Sequence, residues 1–215
     1  MKRPCFIPSD NSVGVERVII DFEYYTGFSI TQKQKSIKSF HSEILKNKEN
    51  FRVLEISTKS DIELGKKLSA FNLSTKSINN KISFTVETAF QSSKVFEKGG
   101  PYNDLLFKTS KEAKNDERLR TSGKLIAFRF FNKEYPIEPK TLFYDWLYIN
   151  VLAKHPELHN SLLQYNCFTD IEFNPERSIN CQAYSAALFI SMKKNNIDFE
   201  KIKDINTFKD FVYGY

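Results

Sequence analysis

The chain has 215 residues, of which 40% are hydrophobic and 14% aromatic, enough for one large domain or a domain with an appended module. A formal charge of +6 favours an acidic partner such as a polyphosphate or a nucleic acid, although ordinary solubility also explains so modest an excess. The three widely spaced cysteines form no CxxC pair, which excludes a disulfide framework and a zinc knuckle. No apolar run is long enough to span a bilayer and no signal peptide is visible, so we expect a cytoplasmic protein without a membrane partner.

The first sixty residues are predicted to form a small α/β module. Residues 15–25 are rich in β-branched and aromatic side chains and predict a strand. Residues 29–48 carry apolar side chains at helical spacing, and residues 51–57 predict a second strand. This order of elements is compatible with a βαβ unit.

The next segment is predicted to contain a short helix and a polar turn. Ser60 is a good N-cap, and Glu63 three residues later completes a capping box for a helix that ends at Leu68. Residues 74–81 are rich in Asn and Lys and predict a turn.

Residues 84–96 are predicted to form the central helix of the chain, ended by Gly99-Gly100-Pro101. Glu87, Gln91 and Lys94 then share one face, bordered by apolar side chains. Such a face could line a pocket for a sugar or a nucleotide, or it could be a solvated ladder of polar side chains. Spacing alone favours the solvated ladder.

The second half is predicted to combine several helices with short extended segments. Helices are expected at 104–108, 109–114, 140–154, 156–163 and 180–194, and a strand at 124–131. Residues 168–173 predict a short strand or an extended loop that carries Asp170 and Glu172. The tail from residue 195 is expected to be a docking helix or a frayed end.

The polar residues suit cleavage of a glycosidic bond without a metal or a cofactor. His155 and His159 have a metal-like spacing, but a third ligand is not apparent, and no glycine-rich phosphate loop is present. A fixed carboxylate stabilises the positive charge that develops at the anomeric carbon, and a lysine in a dry pocket can lose its proton. Residue types alone leave this as one chemistry among many.

The order of five segments resembles the NADAR family. The segment at 68–72 (Leu-Ser-Ala-Phe-Asn) resembles the family's Leu-Ser-Asn-Phe-Ser loop, and 85–96 resembles its Ser-Ser-Glu-His-x-Phe-Gln-Ala-x-Lys-Phe helix. Weaker likenesses follow at 110–118, 147–163 and 168–181, so that the resemblance covers roughly residues 65 to 192. The chain is more closely similar to the branch paired with DarT-type toxins, in which an added N-terminal segment precedes the shared core.

This resemblance implies an α+β fold and an antitoxin enzyme. A mainly helical, YbiA-like core with a small sheet is expected at 61–194, after a small α/β extension at 1–60 and before a tail at 195–215. The implied activity is an ADP-ribosyl glycohydrolase that removes ADP-ribose from guanine in single-stranded DNA, releases ADP-ribose as product, and has the cognate toxin as a further partner. Whether the substrate is DNA or RNA stays open at this point.

The resemblance also implies the site. The catalytic residues it implies are Glu87, Lys94 and Glu172, with Lys94 as a base or as an amine that captures the opened sugar in a Schiff base. The substrate-binding residues it implies are Ser69, Phe71, Asn72, Phe90, Gln91, Arg118, Arg129, Asp170 and Asn174, of which the arginines would meet the diphosphate and the two phenylalanines would stack on a base or wall the ribose pocket.

Three departures from the family pattern concern this site. A family tryptophan is replaced by Phe131-Asn132, a late aspartate aligns near Arg177, and a final Trp-Gly is Asn180-Cys181. The second and third departures concern the C-terminal side of the site, where Asp170, Glu172 and Asn174 are the candidates to take over the lost functions. Two alternative functions remain. One is an N-glycosidase that acts on riboflavin-pathway intermediates, and the other is a non-catalytic binder of ADP-ribosylated nucleic acid or of the toxin.

Overall fold

The computed structural model describes residues 1–27, 29–77 and 81–214, and it has the expected α+β class. The chain divides into two compact units, which we call the terminal unit (Met1–Ser69 with His155–Tyr215) and the central unit (Ala70–Lys154). The predicted boundaries after residues 60 and 194 stay a prediction. No helix in the described part of the chain is both long and apolar enough to cross a membrane.

The structure describes nine strands, of which six have three residues each. They are β1 (Lys2–Pro8), β2 (Val15–Asp21), β3 (Val53–Glu55), β4 (Ser74–Lys76), β5 (Ser83–Thr85), β6 (Lys94–Phe96), β7 (Leu125–Phe130), β8 (Lys133–Tyr135) and β9 (Cys167–Thr169).

The helices vary more in length. They are α1 (Ile30–Asn47), α2 (Glu63–Lys67), α3 (Val86–Ser92), α4 (Ser110–Asn115), α5 (Arg118–Thr121), α6 (Leu142–Ala153), α7 (Pro156–Leu162), α8 (Gln182–Lys194) and α9 (Ile205–Tyr213), with 3₁₀ turns at Asn103–Phe107 and Lys201–Lys203. The predicted helices of the second half and the strand at 124–131 are confirmed to within two residues at each end.

The terminal unit is built on a four-stranded sheet in the order β2-β1-β9-β3. β1 is antiparallel to both β2 and β9, whereas β3 and β9 run parallel. The predicted order of strand, helix and strand is present, and β2 and β3 run parallel in one sheet, but β1 and β9 lie between them, so the two strands are not the neighbours of a simple βαβ unit. α1 contributes Ile37, Phe40 and Ile44 to the apolar core of this unit, where the Phe40 ring stacks on Phe22 at 4.4 Å.

Three of the local predictions for the terminal unit differ from the structure. The strand predicted at 15–25 ends at Asp21, and the strand predicted at 51–57 is reduced to β3. The predicted Ser60–Glu63 capping box is wrong: α2 has Ile62 at its N-cap, and the Ser60 hydroxyl accepts a hydrogen bond from the Ile62 amide at 3.2 Å. The tail does form a helix, α9, which Asp204 caps through the Thr207 amide.

The central unit contains the antiparallel pair β4–β5 and the three-stranded sheet β6-β7-β8. The predicted turn at 74–81 is wrong at its start, where β4 lies, and residues 78–80 of that prediction lie outside the described residues. α6 supplies an almost wholly buried helix, with Tyr148 and Phe143 among the largest buried side chains.

The predicted central helix at 84–96 is also wrong, because the segment divides into β5, α3 and β6. Thr85 fixes the start of α3 in a capping box with Thr88. After Ser92, the Ser92 and Ser93 hydroxyls both donate to the Ala89 carbonyl, which competes with helix continuation. The chain then leaves the helix, and Lys94 pairs with Phe128 in a strand.

Candidate functional site

A chain of hydrogen bonds joins Glu87, Gln91 and Lys94 in the central unit. The Gln91 amide nitrogen donates to Glu87 Oε1 at 2.8 Å, and Lys94 Nζ donates to Gln91 Oε1 at 2.7 Å. Glu87 is 5% exposed and Gln91 7% exposed, so the interpretation of this face as a solvated ladder is wrong. A buried carboxylate joined through one amide to a half-buried amine is typical of a functional site.

Lys94 reaches this network from β6 and not from the helix face. Its Nζ lies 4.6 Å from the ring centroid of Phe90, a contact that orients the amine over an aromatic wall. Burial lowers the pKa of Lys94 to about 8, while Glu87 acts to raise it and Lys114 to lower it. A substantial fraction of this amine is therefore neutral near physiological pH and able to accept a proton or attack a carbon.

Phe90 anchors the network in the core. It is 7% exposed and packs against the rings of Phe128, Phe143 and Tyr144, with centroids 5.5, 6.4 and 5.0 Å away. This packing fixes α3 in place, because aromatic rings bury large areas in preferred geometries. Phe90 therefore serves as a wall beneath Lys94.

The loop that carries Phe71 and Asn72 is held against the first turn of α3. The Glu87 amide donates to the Ala70 carbonyl at 2.9 Å, and the Ser110 hydroxyl donates to the Phe71 carbonyl at 2.8 Å. Lys114 Nζ lies 5.0 Å from the centroid of the Phe71 ring. These bonds place the sequence-predicted loop beside the sequence-predicted helix.

A cavity of about 500 Å³ lies in the central unit at this loop. Its described lining includes Phe71 and Asn72, together with Thr85 and Thr88 from the start of α3. Glu87, Gln91 and Lys94 are not among the described lining residues. The Phe71 loop lines the cavity and is bonded to the first turn of α3, so the cavity lies next to the hydrogen-bonded network.

The two predicted diphosphate ligands are engaged with carboxylates. Arg118 forms charge-assisted hydrogen bonds with Asp104 and Asp116, the shortest at 2.6 Å, and its guanidinium lies 4.4 Å over the Tyr102 ring. Arg129 pairs with Glu134 at 3.3 Å on the β7–β8 hairpin, where both side chains are well exposed. Arg118 could meet a diphosphate only by exchanging partners, whereas the exposed pair of Arg129 is weak enough to exchange readily.

The remaining predicted residues belong to the terminal unit. Glu172 is exposed and pairs with Lys33 at 3.2 Å. Asn174 Oδ1 accepts from an Arg3 guanidinium nitrogen at 3.0 Å, and the Ser69 hydroxyl lies 3.4 Å from Gln182 Oε1. Each of these side chains thus has a local structural contact.

Asp170 lies in a buried network that sequence reasoning missed. Its Oδ1 accepts from the amides of Glu172 and Phe173, and nearby Glu55 accepts from the Thr169 hydroxyl at 2.6 Å and from the Ile171 amide at 2.8 Å. Burial, followed by the charge of Glu55, raises the pKa of Asp170. Nothing in the sequence marks Glu55, which is an ordinary strand residue until β9 pairs with β3.

Replacing Asp170 by Asn is expected to stabilise the protein at alkaline pH. Because the folded-state pKa of Asp170 is raised above its unfolded value, wild-type stability falls as pH rises between those two values. Asn keeps the acceptor oxygen but carries no charge, so Asp170→Asn should unfold with a free energy roughly 1–3 kcal/mol higher near pH 8. Denaturant melts at pH 5 and pH 8 measure this, and equal pH dependence in both proteins contradicts it.

Comparison with known proteins gives one family. The family described as NADAR-DarT1, DarT1-associated NADAR antitoxin, matches residues 1–215, which includes the segment 1–60 that precedes the resemblance found from motifs. No curated protein matches the chain.

Proposed function

The chain belongs to the family of DarT1-associated NADAR antitoxins, and we propose that it opposes its toxin as an ADP-ribosyl glycohydrolase that removes ADP-ribose from guanine in single-stranded DNA. Family membership supplies the antitoxin role. The activity and the substrate are the proposal, and the observation that carries them is the buried Glu87–Gln91–Lys94 network.

The proposed reaction breaks the bond between the anomeric carbon of the ribose and the guanine nitrogen. Glu87 stabilises the positive charge that develops on the sugar as the bond breaks. The departing base takes up a proton, and a water adds to the anomeric carbon and gives up a proton to the neutral amine of Lys94. In the alternative course, the amine of Lys94 attacks the anomeric carbon as guanine leaves with a proton from solvent, and the amine adduct loses its extra proton. The ring of the adduct then opens to an imine, and water hydrolyses the imine to release ADP-ribose and restore the amine.

Gln91 gives this pair its geometry. One amide group holds both partners, so the carboxylate and the amine keep a fixed separation without forming a direct ion pair that would return Lys94 to its charged form. Phe90 supports the amine from below, and the half-buried Phe71 is the proposed platform for a base.

The finer features carried over from the family remain proposals. They are the YbiA-like organisation of the core, a catalytic role for Glu172, binding roles for Ser69, Asp170 and Asn174, and release of free ADP-ribose. Of the two predicted arginines, Arg129 is the better candidate for the diphosphate, since Arg118 is held by two carboxylates.

A substrate panel tests the proposed function. We expect release of ADP-ribose to be fastest from a DNA oligonucleotide that carries one ADP-ribosylated guanine, slower from the matching RNA, and undetectable cleavage of pyrimidine ribosides from the riboflavin pathway. Chromatography of the released products measures all three. Cleavage of the ribosides alone would support the metabolic alternative, and tight binding of modified DNA without turnover would support the non-catalytic binder.

A further inference from the structure

The cavity of the central unit has the chemistry of a surface that binds nucleobases. Three phenylalanines, Phe71, Phe84 and Phe107, contribute to its wall, and Lys108 supplies a cation. Among the lining residues that the structure describes there is no carboxylate, and the other polar side chains are hydroxyls and one amide. Aromatic faces beside a cation complement the bases and phosphates of a single strand.

Phe107 extends this apolar wall to the surface. It ends the 3₁₀ turn Asn103–Phe107, and its side chain is 69% exposed. Leu106, the preceding residue, is 9% exposed and anchors the turn. A large ring held on a well-anchored turn at the edge of a cavity is available to stack on a ligand.

Phe131 is a second exposed ring, held in an unfavourable backbone conformation. It has φ 45° in the two-residue turn between the paired residues Phe130 and Lys133, where Asn132 has φ 63°. Such a turn normally uses Asn or Gly at both positions, because at positive φ the Cβ of most other residues crowds the backbone. The Phe131 ring is nevertheless 51% exposed, and its centroid lies 5.8 Å from that of Phe84 in the cavity wall.

We propose that this cavity, with the exposed rings of Phe107 and Phe131, binds the stretch of single-stranded DNA that flanks the modified guanine. The choice of DNA rests on the proposed function. Lys108 is the phosphate contact. Lys108 helps to lower the pKa of two carboxylates, those of Glu112 and Asp116. Glu112 accepts a hydrogen bond from Thr109, and Asp116 accepts one from Arg118.

Charge complementarity and strain both point to this occupant. The chain carries a net charge of +6, which attracts a polyanion, and the described lining adds no opposing charge. The Phe131 ring packs on Phe84 and Phe130, with centroids 5.8 and 4.4 Å away, and about half of its surface still faces solvent from a strained turn. That exposed face is available to a base. Bases stack on such rings with little dependence on sequence.

Binding of an unmodified single-stranded oligonucleotide, followed by fluorescence anisotropy, tests the proposal without requiring turnover. Phe107→Ala and Phe131→Asn should each weaken binding about tenfold. Lys108→Ala should weaken binding and lower its dependence on salt. Phe131→Asn should also raise the melting temperature, because Asn accepts the left-handed conformation, and a merely structural role of Phe131 would not combine these two changes.

Matched controls and a second substrate separate the outcomes. Phe211→Ala, an exposed ring on α9, and Lys201→Ala should leave the affinity unchanged. In turnover, Phe107→Ala and Phe131→Asn should raise KM for the modified oligonucleotide but leave cleavage of an ADP-ribosylated mononucleotide unchanged. Wild-type affinity for the oligonucleotide in both variants overturns the proposal. An equal loss of activity on the mononucleotide also overturns it, because the cavity would then be part of the ADP-ribose site. Tighter binding of RNA than of DNA by the wild-type protein is the third contradicting result. If no substrate is turned over but these variants still lose DNA binding, the proposed function fails and the binding surface stands.

Discussion

Glu87→Gln is expected to lower the rate of ADP-ribose release from modified DNA about a hundredfold to a thousandfold. The substitution removes the negative charge that we propose stabilises the positive sugar, but it keeps the size and the shape of the side chain. Gln at this position can still accept the hydrogen bond from the Gln91 amide, so the packing of α3 should survive. Single-turnover rates with a saturating oligonucleotide measure the effect directly, because they exclude a change in substrate binding.

The control for Glu87→Gln is Glu138→Gln, a substitution of an exposed glutamate in the same unit. It should keep the wild-type rate, since a charge removed from the exposed surface and away from the proposed site residues changes little. Thermal melts of both variants report whether the fold is intact. Full activity in a folded Glu87→Gln protein would remove the carboxylate from the mechanism.

Lys94→Met is expected to lower the same rate about a hundredfold to ten-thousandfold, because it removes the proton acceptor or nucleophile. Met keeps an unbranched apolar stem over the Phe90 ring and removes a cation that burial disfavours, so stability should not fall. Residual rates near the wild-type value would contradict the assignment of Lys94.

The pH dependence follows from the same amine. With a pKa of about 8, Lys94 is mostly protonated below that pH, so kcat/KM of the wild-type enzyme should rise with pH and level off above about 8. The free energy of unfolding should depend on the same amine. Because the pKa of Lys94 is lower in the folded protein than in the unfolded chain, the stability from this lysine is complete above the unfolded pKa and is lost as the pH falls towards 8. Lys94→Met should lack both features.

Gln91→Glu tests the role of the bridging amide. A carboxylate at this position would favour the charged amine and raise the pKa of Lys94, so the rising limb of the pH profile should move to higher pH. It would also replace the amide that donates to Glu87 by a second carboxylate, so activity at high pH should fall as well.

Borohydride added during turnover distinguishes Lys94 as a nucleophile from Lys94 as a general base. An imine would be reduced to a stable ADP-ribosyl adduct visible by mass spectrometry, whereas a general base leaves no adduct.

Several features were readable from the sequence because they depend on neighbours along the chain. The helix predicted at 109–114 is confirmed as α4, and its start is local because Thr109 and Glu112, one turn apart, form a capping box. The long helices followed from apolar periodicity, and the order of motifs pointed to the NADAR family, which the match over residues 1–215 shows. The pairing of Glu87 with Gln91 also followed from helical spacing.

Other features depend on segments that are distant in sequence, and only the tertiary structure decided them. β7 draws residues 94–96 into a sheet, which places Lys94 on a strand, and β9 pairs with β3, which buries Glu55 beside Asp170. The sequence also did not predict the carboxylate partners of Arg118 or the exposure of the Phe131 ring. Desolvation and long-range pairing have no local signature, because each arises from what the rest of the folded chain places around a residue. The sequence by itself thus determined the family and the residue types of the candidate site, and the folded packing decided which amine has a lowered pKa, which carboxylate is buried and which cations are engaged.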